Sequence, residues 1–192
     1  MQLILASQSP RRRELLSKIG KPFQVEAADI DETMDPKLPP RDEVARVSRE
    51  KARVVAEKHP EAVVIAADTI VVCQDHIMGK PHSEKEAGRM LKMLSGKCHQ
   101  VMTGLTVRQG EKVLSCTEVT DVQFRTLSDR EIGAYVRTGE PMDKAGAYAI
   151  QGGGAFFAAH ISGDYYNVVG LPLCRLGRLL QSVAPEIMEE FA

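Results

Sequence analysis

The sequence predicts an α/β protein with a mixed β-sheet, and three observations support this fold class. Short apolar runs typical of buried strands, such as LILA (3–6), alternate with segments that carry helix caps and an apolar face. A long stretch alternates apolar and polar residues on both sides of Gln109-Gly110, which is typical of a β-hairpin. The resulting order, β-α-β-α-β-α-β-β-α-β-β-α, indicates layers of helices packed on a sheet.

The first strand and helix follow directly from local signals. After LILA, Ser9 is a good N-cap and Pro10 suits the first helical position. The helix has an apolar face, and Gly20 is expected to end it. That face consists of Leu15, Leu16 and Ile19.

The next segments are a strand, a polar loop, a helix and a long apolar run. FQVEA (23–27) predicts a strand, and the acidic, proline-containing stretch DIDETMDPKLPPRD (29–42) is too polar for the core. A partial apolar stripe predicts a helix over about 41–58. The most apolar run of the chain, AVVIAADTIVVC (62–73), follows it.

Two later helices begin with the capping-box pattern, a serine followed three residues later by a glutamate. They start at Ser83 and Ser128 and are expected to end near Gly96 and Gly139. The last third is predicted to hold short strands around Gly152–Gly154 and a helix over about 172–183.

The composition bounds the class of protein. With 192 residues, 43% of them hydrophobic and 27% charged, the chain can form one domain with a real core, and two lobes around a cleft are allowed. The 25 basic and 26 acidic residues give a net charge of −1. This balance argues against bulk binding to nucleic acid or to an anionic membrane.

The cysteines and the N-terminal segment predict a cytoplasmic protein. The four cysteines are far apart and form no C-x-x-C pair, which favours reduced, buried thiols over a zinc site or a disulfide scaffold. They are Cys73, Cys98, Cys116 and Cys174. The first apolar run is too short for a signal peptide. No apolar stretch approaches the roughly 20 residues of a membrane span.

The stretch SQSPRRRELLS places three arginines in the first turn of a helix, where the helix dipole disfavours cations by about 0.3–1 kcal/mol each. A serine-rich loop before a helix N-terminus is an anion site, to which Ser7 and Ser9 add hydroxyl donors. Arg11 and Arg12 then become favourable, because guanidinium groups bind phosphate bidentately. The alternative is a solvated basic turn, and Arg13 is expected to face solvent.

Asp68 and Thr69 interrupt the run 62–73, in which ten of twelve residues are apolar. A buried carboxylate must meet a cation, a metal ion or hydrogen-bond donors. Two placements stay open. Asp68 is either exposed in a turn between two strands, or it emerges at a strand end beside a cleft, where α/β sheets usually bind ligands.

Three acidic residues, Asp29, Asp31 and Glu32, precede the predicted 41–58 helix. Alone they are typical of a solvated loop. Close to Asp68 they would form an oxygen-rich site for Mg²⁺ or Mn²⁺, ions that bind through a few carboxylates together with substrate phosphates.

Other candidates are weaker as patterns. Lys51 in SREKA and Lys80 in MGKP could contact phosphates, although a single lysine is usually a surface residue. The glycines of AYAIQGGGA, placed after a predicted strand, would permit positive φ and close approach of a ligand. Gln151 offers a donor and an acceptor, enough to read the edge of a pyrimidine base. From these residues we expect a cleft for a phosphorylated ligand and a divalent metal.

Eight motifs, in order along nearly the whole chain, resemble the Maf family of septum-formation-inhibitor-like nucleotide pyrophosphatases. They are LASQSPRRRELL, DIDE, SREKA, AADTIV, GKP, LSGKCHQVMTG, EPMDKAGAYAIQG and NVVGLP. The resemblance implies a single domain over 1–192 with the inosine-triphosphatase-like fold, an elongated mixed sheet flanked by helices with a central cleft between two lobes. It also implies hydrolysis of a nucleoside triphosphate to monophosphate and diphosphate with Mg²⁺ or Mn²⁺, and a homodimer.

The resemblance also implies roles for particular residues. Asp68 corresponds to the family's proton-accepting aspartate, and Asp68 and Glu32 match its metal site. Positions that match its substrate site are Ser7, Ser9, Arg11, Arg12, Lys51 and Lys80. The combination of Arg11, Thr69 and Gln151 looks like the group acting on dTTP and UTP, whereas the group acting on 7-methyl-GTP tends to have tryptophan, glutamine and glutamate there.

Two other functions stay open. One is a nucleotide-binding regulator of septum formation without turnover, which is disfavoured because both Asp68 and Glu32 are present. The other is an enzyme of the same type acting on modified pyrimidine nucleotides such as 5-methyl-UTP or pseudo-UTP. A pocket separates such substrates poorly, since an added methyl group is worth only about 1–3 kcal/mol.

Overall fold

A computed structural model describes residues 2–35 and 37–189, which form a mixed β-sheet flanked by helices. The strands are β1 (Leu3–Leu5), β2 (Gln24–Val25), β3 (Val63–Cys73), β4 (His76–Met78), β5 (Cys98–Gln109), β6 (Lys112–Phe124) and β7 (Ala158–Ser162). The helices are α1 (Pro10–Ser17), α2 (Pro40–Lys58), α3 (Glu84–Leu94), α4 (Asp129–Val136), α5 (Tyr165–Val169) and α6 (Leu173–Val183). The strand order is β2-β1-β3-β5-β6-β7, with β4 paired to β3.

The strand pairings confirm the predicted fold class. β1 runs parallel to β2 and β3, whereas β4 is antiparallel to β3 and β7 is antiparallel to β6. Parallel neighbours need crossover connections, and α1 and α2 supply them. None of the helices in the described ranges is long and apolar enough to cross a membrane.

The chain divides into two units, each with its own core. The first contains the chain up to Asp68, Thr103–Glu118 and the chain from Gly170 onward. Its core joins alternate residues of β3 to one face of α2, and it consists of Ile4, Ala6, Ala52, Val55, Ala56, Ala62, Val64 and Ala66. The single domain inferred from the sequence stays a prediction.

The second unit contains Thr69–Met102 and Val119–Val169 and has an aromatic core. Phe124 packs edge to face against His99 and Tyr148, with ring centroids 4.8 Å apart in both cases. Phe157 extends this cluster at 5.9 Å from Phe124. Such edge-to-face pairs add to the stability that burial alone provides.

The predicted helix caps are confirmed. The hydroxyl oxygens of Ser9, Ser83 and Ser128 each accept a hydrogen bond from a backbone N–H of the first turn. The capping box is complete only at Ser128, because the carboxylate of Glu86 accepts from His82 N instead of Ser83 N. The predicted hairpin is also confirmed, as β5 and β6.

The run 62–73 contains no turn. From Val63 to Cys73 it forms the single strand β3, and the turn comes later, at Gln74 and Asp75, whose φ angles are 50° and 64°. The additional short strand β4 follows this turn. The exposed-turn placement of Asp68 is therefore wrong, because an unbroken strand carries the carboxylate through the buried region.

The expected short strands around Gly152–Gly154 are also wrong. The segment Gly153–Phe156 is a 3-10 turn, and β7 begins only at Ala158. The backbone N–H of Gly152 donates to Ala149 O at 3.1 Å, which closes a turn instead of a sheet ladder.

The four cysteines are free, but only Cys73 is buried. Cys98 and Cys174 are exposed and Cys116 is half-buried, so the prediction of buried thiols is wrong for these three. Burial raises the pKa of the Cys73 thiol, which keeps it protonated.

Gly104 in β5 provides a test of the packing of the first unit. A Cβ there would lie 2.1 Å from Val44 O, so we expect Gly104→Ala to destabilise the protein by about 1–3 kcal/mol. Gly88 in α3 is the matched control, since its Cβ would meet only Ile132 at 4.0 Å. There, alanine should stabilise by about 0.5–1 kcal/mol. Urea unfolding measures both changes, and an unchanged Gly104→Ala midpoint would contradict the close approach.

Candidate active site

The centre of the candidate site in the first unit is a buried ion pair between β3 and α2. Side chains two apart in a strand share a face, so Asp68 lies on the same face of β3 as Val64 and Ala66. On α2, Lys51 lies one turn from Val55 and shares its buried face. Lys51 Nζ donates to Asp68 Oδ1 at 2.7 Å, and both residues are more than nine-tenths buried.

The backbone around Asp68 explains its position. β1 pairs with Val63–Ile65 of β3 and then leaves the sheet after the bond from Ala6 N to Ile65 O at 2.8 Å. Asp68 therefore lies beyond the end of the neighbouring parallel strand, although β3 itself continues. The predicted placement of Asp68 at the end of its own strand is thus wrong. The strand that ends close to Asp68 is its neighbour β1, and the ends of parallel strands are where α/β sheets bind ligands.

Lys51 also joins Glu32 to this site. Glu32 Oε1 lies 2.9 Å from Lys51 Nζ, and its side chain is 54% exposed. The ammonium group therefore has a buried carboxylate and an accessible carboxylate as neighbours. Lys51 is buried, unlike most lysines, because these two charges compensate it.

Of the acidic cluster predicted from the sequence, only Glu32 reaches Lys51. Asp31 Oδ1 instead accepts from Thr33 N at 2.9 Å, and Asp29 is exposed. Within residues 2–35 and 37–189, no group of three or more His, Cys, Asp or Glu side chains is placed to hold a metal ion. The acidic set at the site is therefore Glu32 and Asp68.

Arg12 is fixed by the loop that precedes α1. Its backbone N–H donates to Ser9 Oγ at 3.4 Å, and its Nη1 donates to Ser7 Oγ at 3.3 Å. Its Nε donates to Gly170 O at 2.8 Å. Since Ser7 Oγ also accepts from Ser9 N at 3.2 Å, the Ser7 hydroxyl has filled its acceptor positions and keeps its O–H to donate.

The charges around Arg12 belong to the same site. Burial lowers the pKa of the Arg12 guanidinium, while the nearby Asp68 and Glu32 carboxylates raise it and Arg11 lowers it. The first turn of α1 contains no acidic residue. Arg11 is half-buried, and Arg13 is exposed as predicted. This helix end therefore combines N–H groups, hydroxyls and guanidinium groups suited to a phosphate.

The second unit contains the other predicted residues, Thr69, Lys80 and Gln151. Thr69 follows Asp68 in β3 and is half-buried, and Lys80 is exposed just after β4. The backbone beside Lys80 is held by a bond from Gly146 N to Gly79 O at 3.1 Å. Gly146 has φ +69°, and a Cβ there would lie 2.7 Å from Val71 Cγ2, so this junction requires glycine.

Gln151 is exposed, and it lies on a turn whose backbone is hydrogen-bonded to the carboxylate of Glu140. Gly153 N donates to Glu140 Oε2 at 3.0 Å, and a Cβ on Gly152 would lie 1.8 Å from Glu140 Oε1. These glycines have no positive φ, so the expectation of positive φ is wrong, while close approach of a ligand stays a prediction. They leave room for the protein's own carboxylate. No sequence pattern indicates this role for Glu140.

Two further residues near Gln151 could not be found from the sequence. His99 is buried, its Nε2 lies 2.9 Å from Tyr148 OH, and burial lowers its pKa to about 4. Ala149 N donates to Tyr135 OH at 3.0 Å. The segment just before Gln151 is therefore held by hydrogen bonds from two distant parts of the second unit.

Comparison with known proteins identifies the family. The family model described as Maf-like protein matches residues 2–183. The chain belongs to the Maf family. The family prediction made from the eight motifs is thus confirmed.

Maf-family relatives are similar over most of their length. A protein of Halalkalibacterium halodurans named dTTP/UTP pyrophosphatase is 51% identical over 93% of this chain and 94% of its own. A Bacillus cytotoxicus protein of the same name is 48% identical over 94% of each chain. Among solved structures, the Staphylococcus aureus Ham1 protein superposes with a TM-score of 0.52, 14% identity, and coverage of 95% of this chain and 99% of its own. That likeness concerns the fold and confirms the predicted inosine-triphosphatase-like class.

The buried His99 predicts a pH dependence of stability. Its pKa of about 4 in the folded state lies below the ordinary value of 6.5, so the unfolded chain binds a proton first as the pH falls. Stability should decrease from about pH 6.5 to pH 4 by up to about 3 kcal/mol from this group. Unfolding at pH 7 and pH 4.5 should show a smaller loss for His99→Gln than for wild type.

The exposed His76 is the control for this experiment. His76→Gln should keep the wild-type pH dependence. Equal losses in the wild type and His99→Gln would contradict a neutral, buried His99.

Proposed function

We propose that this chain hydrolyses dTTP and UTP to the nucleoside monophosphate and diphosphate. The observation that carries the proposal is the buried Lys51–Asp68 pair, with Glu32 on the same ammonium group and Arg12 nearby. The names of the relatives favour this enzymatic function over the binding-only regulator. A regulator without turnover would also have no need to keep two carboxylates at a phosphate site.

The triphosphate would bind at the N-terminus of α1. Arg11, Arg12 and the hydroxyls of Ser7 and Ser9 offer donors there, and the helix dipole adds positive potential. Neutralising the phosphate charge allows a nucleophile to approach, which is the main catalytic need in phosphoryl transfer. We assign Lys80 to the same substrate.

Glu32 and Asp68 would hold a divalent cation, Mg²⁺ or Mn²⁺. The donor set fits, because two carboxylates already share one positive charge at 2.9 and 2.7 Å. Mg²⁺ typically takes one or two protein carboxylates and completes its coordination with substrate phosphates and water. When bound, the ion would supply further charge neutralisation at the phosphates.

Asp68 is the proposed proton acceptor. Lys51 occupies Oδ1, and this leaves Oδ2 to accept a hydrogen bond from a water molecule and then its proton. Attack of that water on the α-phosphorus releases diphosphate. Lys51, Lys80 and Arg12 would stabilise the charge of this leaving group.

The base would be read by Arg11, Thr69 and Gln151, the combination that resembles the group acting on dTTP and UTP. The amide of Gln151 can both donate to and accept from a pyrimidine edge. The bases of dTTP and UTP differ by a methyl group at C5, and their sugars differ by the 2′-hydroxyl group. A site that accepts both should therefore also take pyrimidines modified at C5. The homodimer and the cytoplasmic location remain predictions, for sedimentation and cell fractionation to test.

The reaction is tested with a panel of nucleoside triphosphates and Mg²⁺ or Mn²⁺. We expect dTTP and UTP to yield monophosphate and diphosphate, with weaker turnover of purine nucleotides. Orthophosphate and a nucleoside diphosphate would exclude cleavage at the α-phosphorus. Tight binding without any product would favour the regulator.

Asp68→Asn tests the proposed proton acceptor. The amide keeps the size of the side chain but cannot take the proton, so turnover of dTTP should fall by at least ~10²-fold while nucleotide still binds. Asp75→Asn is the control, since Asp75 is an exposed turn residue with φ 64°, a conformation that asparagine accepts. Near-normal turnover of Asp68→Asn would contradict the assignment.

A further inference from the structure

A second buried carboxylate lies on α2, two turns before Lys51. Glu43 is only 1% exposed, although acidic residues in a first helical turn normally face solvent. Its Oε1 accepts from Arg46 Nε at 2.8 Å and its Oε2 from Arg46 Nη2 at 3.0 Å. This bidentate pair compensates the buried charge.

The pair also binds the backbone of the loop that precedes α2. Glu43 Oε2 accepts from Asp35 N at 2.7 Å, and Arg46 Nη2 donates to Thr33 O at 2.9 Å. We name Glu43 and Arg46, with these two backbone bonds, the loop clamp. It binds the backbone at Thr33 and Asp35, directly after Glu32.

Glu32 needs such support because little else fixes it. Between the end of β2 and the start of α2, the described residues form no helix or strand. The Glu32 side chain is 54% exposed, so core packing does not set its position. Besides the ion pair with Lys51, the backbone bonds of its neighbours determine where the carboxylate lies.

We propose that Glu43 and Arg46 are positioning residues that hold Glu32 at the divalent-cation site. This inference rests on the proposed function. Glu43 and Lys51 lie eight residues apart on one helix, so α2 carries both the loop clamp and the ammonium group that Glu32 contacts. A single helix thereby contacts both the Glu32 carboxylate and the backbone that directly follows it.

The same helix offers a matched control. Glu50 and Arg53 have the same i, i+3 spacing, with Arg53 Nε 3.0 Å from Glu50 Oε2 and Arg53 Nη2 2.6 Å from Glu50 Oε1. This pair is exposed, and its hydrogen bonds stay within α2. Glu50→Gln therefore removes the same charge from a pair with the same spacing, and Glu50 makes no hydrogen bond to the described residues of the loop.

The first measurement needs neither metal nor nucleotide. In Glu43→Gln the loss of charge weakens the bond from Asp35 N, so hydrogen exchange at this amide should be at least about five-fold faster than in the wild type. Glu50→Gln should exchange like the wild type. Arg46→Lys is the second variant. It keeps the charge but cannot make the two bonds to Glu43 and the bond to Thr33 O together.

The second measurement is Mn²⁺ binding without turnover. The paramagnetic resonance of free Mn²⁺ reports this binding in the presence of a dTTP analogue with an uncleavable α,β-imido bridge. We expect about ten-fold weaker Mn²⁺ binding in Glu43→Gln and Arg46→Lys, as is usual when a group that orients a metal ligand is changed. With dTTP, the half-saturating Mn²⁺ concentration should rise similarly while turnover at saturating Mn²⁺ stays within about two-fold of the wild type.

Wild-type Mn²⁺ affinity in both clamp variants would overturn the inference, and so would equal loss in Glu50→Gln. A failure of the proposed function is distinguishable, because the wild type would then cleave neither dTTP nor UTP. In that case hydrogen exchange and Mn²⁺ titration still decide whether the loop clamp acts on Glu32.

Discussion

The structure of the candidate site depends on one constraint, the burial of Asp68 and Lys51 as an ion pair. Taking two charges out of water costs several kcal/mol for each, and the attraction between them rarely exceeds this cost. The pair is therefore poorly explained as a source of stability. The packing of α2 on β3 sets the position of the pair, because Val55 of α2 and Val64 of β3 belong to the same buried core. The apolar contact between α2 and β3 thus places the ammonium group of Lys51 at the candidate site.

The sequence predicted the parts of the fold that local interactions decide. Ser9, Ser83 and Ser128 cap their helices because a serine hydroxyl and a first-turn N–H are close in the chain, so the signal is contained in a few residues. Asp68 was recognisable as a carboxylate that needs a partner. Its placement within β3 was not predictable, because it follows from where β1 stops and from Lys51, which is seventeen residues away.

The residues that sequence reasoning missed are carboxylates whose partners are distant backbone groups. Glu43 is an ordinary first-turn acid by its pattern, and Glu140 follows a helix end. Their functions become visible only when the N–H groups of Asp35 and Gly153 are placed beside them. Periodicity and propensity describe side chains along one element, so they contain no information on such contacts between elements.

In each unit of the protein, a carboxylate that accepts a hydrogen bond from a backbone N–H holds an exposed loop in place. The side chains of Glu32 and Gln151 are exposed, so packing in the core does not position them. Carboxylates that accept from backbone N–H groups make strong, directional hydrogen bonds, and Glu43 and Glu140 provide them next to Glu32 and Gln151. Glu43 and Glu140 thereby hold in place the backbone next to each exposed residue. Substitutions at Glu43 and Glu140 should alter where the proposed metal and substrate residues lie, whereas substitutions at those proposed residues should alter the chemistry.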